Sequence, residues 1–118
     1  MSEKMQGCIF CDIANKKAGV PLEYEDDSVA AFNDKSPRAP VHILIVPKTH
    51  VAGINGITGD TEPILSKMAA AAKKIAEKKG ILSSGYRLVV NCGKNAGEAV
   101  GHLHMHLLGG RLLGWPPG

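Results

Sequence analysis

Apolar positions recur along this chain with two periods, and each period predicts a different element. In the middle, Ile64, Leu65, Met68, Ala69, Ala72, Ile75 and Ala76 fall at helical spacing, which predicts a helix over roughly 61–79. Asp60 or Thr61 is placed to cap its start. Gly80 follows a Lys-rich last turn and is placed to end it as a left-handed residue. Elsewhere the apolar runs are short. Residues 22–25 and 28–33 read as two strands around an Asp26-Asp27 turn, a hairpin. VHILIV, residues 41–46, reads as a buried strand stopped by Pro47, and YRLVV, residues 86–90, as another. HLHMHLL, residues 102–108, alternates strictly and reads as a fifth strand, broken by Gly109 and Gly110. CIFCDIAN, residues 8–15, fits a short helix. SPRAP (36–40), the segment 53–60 and NCGKNAGEAVG (91–101) are loops. Strands, one long helix and strands again make an α+β fold with a five-stranded, mostly antiparallel sheet and a short N-terminal helix.

Bulk properties narrow the class. A length of 118 residues fits one domain, 1–118, with residues 1–6 expected to be flexible and 109–118 a C-terminal tail. Aromatic residues are only 4%, so the core must rest on Val, Ile, Leu, Ala and Met. The net charge of +3 is mild, and its densest cluster, Lys73, Lys74, Lys78 and Lys79, reads as a solvated helix face rather than a nucleic-acid patch. No run approaches the roughly 20 apolar residues of a membrane span, and the polar Met1–Gly7 stretch is no signal peptide. A cytoplasmic or nuclear location follows, with no membrane and no nucleic-acid partner. Three cysteines, Cys8, Cys11 and Cys92, are expected as reduced thiols.

The chemistry concentrates in the last strand. His102, His104 and His106 alternate with Leu103, Met105 and Leu107. In a strand the imidazoles then share one face and the apolar side chains enter a core. His42, on another strand, could pair with them across the sheet. A neutral imidazole is nucleophilic at one nitrogen when a neighbour holds the proton on the other. The preceding glycine-bearing loop adds backbone N–H groups suited to phosphate oxygens. Two alternatives stay open here: a plain solvent-facing strand side, and a three-histidine zinc site.

The run from Gly97 through His106 resembles the histidine triad family, whose signature is His-φ-His-φ-His-φ-φ with φ apolar. His102-Leu103-His104-Met105-His106-Leu107-Leu108 fits every position. FNDKSPRAPVHILIVPKTH (32–50) and VVNCG (89–93) extend the likeness, and GGRLLGWPPG at the end resembles the Hint branch. The resemblance implies a homodimer that binds purine nucleoside monophosphates and hydrolyses nucleoside phosphoramidates and acyl-nucleotides, with no cofactor for catalysis. It implies His104 as the nucleophile, forming a nucleotidyl-histidine that water cleaves, with His106 and His42 orienting it and contacting phosphate. Asn91 and the backbone of Gly97, Glu98 and Ala99 correspond to further phosphate contacts. Asp34 corresponds to the acceptor of both ribose hydroxyls; on its own, the Asn33-Asp34 pair is an ordinary loop opener. Phe10, Ile13, Phe32 and Leu44 correspond to the slot for the base, or are simply core. Lys35 stands where an apolar residue often packs on the base. Trp115 resembles a residue that reaches the partner subunit's site, and equally fits a tail anchor.

Two departures bear on rate. Ala99 replaces a common serine whose hydroxyl can serve the leaving group. Glu98 replaces a usual glutamine, and a carboxylate near phosphate repels it unless protonated or turned away. Cys8 and Cys11 have the spacing of two zinc ligands. The resemblance supplies His50 and His102 as the other two, giving a structural Cys₂His₂ site. The alternatives are two packed thiols with His50 and His102 hydrogen-bonded to each other, or a redox pair. Beside the hydrolase stand two further functions: a nucleotide-binding sensor or scaffold with negligible turnover, and a metal enzyme using His102, His104 and His106 directly.

Overall fold

The structure, a computed structural model, describes residues 7–118, so the expectation for residues 1–6 lies outside the described residues. Helix α1 (Ile9–Ala14) leads into strands β1 (Tyr24–Glu25), β2 (Val29–Asn33) and β3 (Val41–Pro47). Helix α2 (Pro63–Lys78) follows, and strands β4 (Tyr86–Val89) and β5 (Met105–Gly109) close the chain. The strands form one five-stranded sheet in the order β1-β2-β3-β5-β4, and each adjacent pair is antiparallel.

Alternation along the strands sorts the two faces of this sheet. Val29, Ala31, Ile43, Ile45, Met105 and Leu107 share a buried cluster with Met68, Ala71, Ala72 and Ile75 of α2. Ala30, Phe32, Leu44 and Val46 meet Phe10, Ile13 and Ala14 of α1 on the opposite side. The alanines on the buried side of α2 leave little side chain between helix axis and sheet. Large apolar residues on the strands fill that layer instead. Leu107 is fully buried, and cutting such a residue to alanine costs about 2–5 kcal/mol.

The ends of α2 show one expectation met and one corrected. Gly80, at φ +75°, follows the helix; the Ile81 N–H donates to the Ala76 carbonyl (2.9 Å) and the Gly80 N–H to that of Glu77 (3.1 Å). Both bonds satisfy terminal carbonyls, and the buried Ile81 anchors the exit. At the start, neither Asp60 nor Thr61 caps. Glu62 holds that position without a side-chain bond and Pro63 opens the helix. The Thr61 hydroxyl is engaged in the preceding turn, accepting from the Thr58 N–H at 2.8 Å.

Two strand boundaries also move. β3 runs through Pro47 rather than stopping before it. β5 begins at Met105, so His102, Leu103 and His104 precede it. The β3–β5 register, Ile45 opposite Met105, would next bring Pro47 opposite Leu103. Proline has no N–H for that ladder. The Leu103 N–H donates instead to the Val51 carbonyl at 2.6 Å. The side chains nevertheless keep their alternation: Leu103, Met105 and Leu107 are all buried in the α2-side cluster.

Candidate active site and metal centre

His42, His104 and His106 gather on the α1 side of the sheet. Leu44 of β3 stands opposite His106 of β5, so His42, two residues earlier, is its diagonal neighbour on the same face. The His42 and His106 rings have centroids 5.2 Å apart, and those of His104 and His106 are also 5.2 Å apart. Phe10 of α1 lies edge-on to His104 with centroids 5.1 Å apart, and edge-on to His102 at 6.1 Å. His42 and His104 are buried, while His106 keeps some exposure.

Hydrogen bonds fix where the protons sit. A carbonyl only accepts, so His104 donates from Nδ1 to the His102 carbonyl at 2.7 Å, and its Nε2 carries the lone pair. A backbone N–H only donates, so His42 Nδ1 accepts from Arg38 (3.0 Å) and its proton lies on Nε2. That Nε2–H donates to His106 Nδ1 at 2.9 Å, which leaves the proton of His106 on its own Nε2. Burial holds both His42 and His106 below the ordinary histidine range, which keeps the rings neutral at pH 7. Asp34 opposes that shift, its Oδ2 lying 3.4 Å from His42 Nε2, while its Oδ1 accepts from the Ser36 N–H (2.8 Å). His104 thus turns its Nε2 lone pair to the face on which His106 holds an oriented N–H donor.

The structure brings the other expected residues together unevenly. Phe10, Ile13, Phe32 and Leu44 share one cluster on the histidine face, each 4–8% exposed. Asn33 and Lys35 are exposed on either side of Asp34. Asn91 is half-buried just beyond β4, whose Val89 pairs opposite His106. The loop 93–98 has fewer free donors than its glycines suggest. The Gly97 N–H donates to the Lys94 carbonyl (3.0 Å) and the Glu98 N–H to that of Gly93 (3.1 Å). The Glu98 carboxylate accepts from the Gly93 N–H (3.0 Å) through Oε1, and its Oε2 lies against Gly53. It is therefore a latch within its own loop. Ala99 is exposed beside it. Trp115 stands apart on the tail, 81% exposed, with the Arg87 guanidinium 6.0 Å from its ring centroid.

His102 belongs to a second grouping. Its Nε2–H donates to the Pro47 carbonyl at 3.0 Å, so its Nδ1 lone pair faces Cys8 Sγ at 3.3 Å, Cys11 Sγ at 3.4 Å and His50 Nδ1 at 3.1 Å. Cys11 Sγ is also 3.3 Å from His50 Nδ1. Burial pushes His102 down to about 4, which keeps it in the neutral form that ligates. His50 Nε2 is buried with no hydrogen-bond partner among the described residues. The four donor atoms lie within 4.8 Å of one another and could hold a metal ion. His102, His104 and His106 do not form such a group together, which removes the geometric basis for a three-histidine metal enzyme. Asp34, His42 and His106 are the other grouping of potential ligands among the described residues.

Sequence reading missed the groups that orient these rings. The Arg38 N–H and the carbonyls of His102 and Pro47 are backbone atoms, invisible to a motif. Only the two prolines of SPRAP signalled that its loop is shaped tightly enough to aim an N–H at His42.

Residues 20–113 match the HIT domain family. The chain is 45% identical over 106 residues to the purine nucleoside phosphoramidase of Escherichia coli (strain K12), covering 90% of this chain and 89% of that protein. It is 44% identical over 110 residues to an uncharacterized HIT-like protein of Synechococcus elongatus, covering 93% and 96%. Among solved structures, a HIT family hydrolase from Legionella pneumophila superposes with a TM-score of 0.91 at 44% identity, covering 95% of this chain and 100% of that one. A histidine triad protein from Clostridium difficile gives 0.92 at 43% identity, covering 95% and 97%.

Proposed function

The chain belongs to the HIT domain family, a hydrolase of the histidine triad type, and on that premise we propose that it cleaves purine nucleoside 5′-phosphoramidates or acyl-nucleotides to nucleoside monophosphates such as AMP and GMP. The observation that carries this reading is the proton order of His104, with Nδ1–H held by the His102 carbonyl and Nε2 free. The Nε2 lone pair forms a bond to the α-phosphorus and the P–N or P–O bond to the leaving group breaks, its electrons departing with that group. An amine leaving group takes up a proton from solvent, and the water that later attacks phosphorus returns one. Water attacks the phosphorus of the nucleotidyl-histidine, releases the nucleoside monophosphate and restores His104. The Nε2–H of His106, oriented through His42, donates to a phosphate oxygen where charge develops. Asp34 takes the ribose hydroxyls, and the Phe10, Ile13, Phe32 and Leu44 cluster flanks the base.

Zinc on Cys8, Cys11, His50 and His102 is part of this reading. Tetrahedral zinc with ligand bonds of about 2.0–2.3 Å sets sulfur and nitrogen donors about 3.3–3.6 Å apart. The three sulfur–nitrogen separations of 3.3–3.4 Å lie in or beside that span and the His50–His102 separation of 3.1 Å is slightly shorter, which supports that occupant. Cys8, Cys11, His50 and His102 would hold the ion through all four of their donors and would give it a structural role, while catalysis needs no cofactor. A cytoplasmic location is part of this reading, and the bacterial relatives favour it over a nuclear one. No helix among the described residues is long and apolar enough to cross a membrane. A homodimer fits the exposed edge of β4, where Leu88 is 38% exposed, and an outward Trp115 suits a partner's site.

The test is hydrolysis of a fluorogenic adenosine phosphoramidate. Turnover by the wild type that is lost in His104→Ala supports the reading. AMP binding without wild-type turnover would overturn it for this substrate class and leave a binding module.

A further inference from the structure

We infer that the Cys8, Cys11 and His50 side chains are positioning residues for the His104 nucleophile, acting through His102 and Phe10. The inference rests on the reading of His104 as nucleophile and extends it. His102 is gripped at both ring nitrogens: Nε2 by the Pro47 carbonyl (3.0 Å), Nδ1 by the cluster of Cys8, Cys11 and His50. The same residue's carbonyl accepts the Nδ1–H of His104 at 2.7 Å, the bond that sends the reactive lone pair to Nε2. Whatever holds the His102 ring therefore holds the acceptor that selects the His104 tautomer.

A second connection runs through α1. Cys8 caps this six-residue helix, its Sγ accepting from the Cys11 N–H at 3.3 Å, and Cys11 lies on the helix itself. Phe10, between the two cysteines, packs edge-on against both His104 and His102. The cluster thus fixes a carbonyl on one side of the nucleophile and an aromatic edge on another. His104 lies outside β5 and lacks the ladder bonds that hold His106, so these contacts replace them. A nucleophile displaced by about 1 Å loses on the order of a hundredfold in rate, so such a clamp acts on kcat.

The experiment uses the full chain with its metal content measured. Cys8→Ser retains a helix-capping oxygen and removes a sulfur; His50→Gln removes the other anchor of His102. Long-range proton–nitrogen NMR of the imidazoles reads the His104 tautomer, alongside kcat, KM and AMP affinity. The wild type shows a single Nδ1–H tautomer. Both variants are expected to show mixed His104 tautomers, a kcat lowered about tenfold to a hundredfold, and AMP affinity within about threefold. Should Cys8→Ser unfold, His50→Gln and Cys11→Ser carry the test, the latter removing the second sulfur that faces His102. Folded variants with an unchanged His104 tautomer and kcat within about twofold of wild type overturn the inference. So does unfolding of all three, because the cluster then holds the fold as a whole. If the wild type turns over no phosphoramidate while the variants still shift the tautomer, the proposed activity fails and the positioning role stands.

Discussion

His42 touches no reacting atom in the mechanism above; it acts through His106, and that makes its energetics calculable. His42→Ala removes the donor to His106 Nδ1 (2.9 Å) and leaves the Arg38 N–H, formerly bonded at 3.0 Å, without its acceptor. The ring is 6% exposed, but the Arg38 N–H and His106 that it leaves behind lie in part-buried contacts. An unpaired buried donor costs about 1–3 kcal/mol, and a part-buried one the lower end of that range; with the vacated ring added, urea unfolding should show about 2 kcal/mol of lost stability. The catalytic loss comes from a disoriented His106 Nε2–H. Removing an oriented donor outright costs about 10²–10³ in kcat, so loosening one should cost about tenfold to a hundredfold, or about 1.4–2.7 kcal/mol of barrier. The decisive assay is the cycle of His42→Ala, His106→Ala and the double variant, with kcat measured on the same phosphoramidate. If His42 works only through His106, adding His42→Ala to His106→Ala changes kcat less than about twofold, and the coupling equals nearly the whole single-variant effect. Multiplicative losses in the double variant would refute the relay and assign His42 a separate contact with substrate.

Three further outcomes follow from local geometry. Burial depresses His42, His106 and His102, the last to about 4, so each stabilises the fold in its neutral form above about pH 6.5. In chelator-treated protein the His102 contribution, about 3 kcal/mol, should be lost as pH falls from about 6.5 through about 4; acid unfolding that begins only below pH 4 would contradict it. Glu98→Gln keeps an oxygen acceptor for the Gly93 N–H and should leave the melting temperature nearly unchanged, whereas Glu98→Ala should cost about 1 kcal/mol; equal losses would show that the charge itself holds the loop. Ala99→Ser restores a hydroxyl beside the site and should raise phosphoramidate turnover about tenfold, with little change in KM; unchanged turnover would mean that another group already serves the leaving amine.

Much of the architecture is written in alternation. Leu103, Met105 and Leu107 toward α2, with His104 and His106 on the opposite face, follow from a period of two, and the helix from Ile64, Met68, Ala72 and Ile75 follows from a period near 3.6. The boundaries that moved depended on distant backbone. Thr61 looked like a cap until the Thr58 N–H claimed its hydroxyl, and the histidine strand shortened because Pro47 cannot pair with Leu103. The convergence of Cys8 and Cys11 with His50 and His102 spans separations of up to 94 residues, and spacing reveals only the first pair. Likeness to a family supplied the rest. The same holds for the nucleophile: alternation offers three histidines, but only the His102 carbonyl distinguishes His104 by placing its proton.

Single-turnover reaction of the protein with an adenosine phosphoramidate, quenched in alkali to preserve phosphorus–nitrogen bonds and mapped by peptide mass spectrometry, addresses the central claim most directly. An adenylyl group on His104, formed faster than AMP appears and absent from His104→Ala, is the expected result. AMP release with no adduct at His104, or an adduct on His106 or His42, would contradict the assignment of the nucleophile.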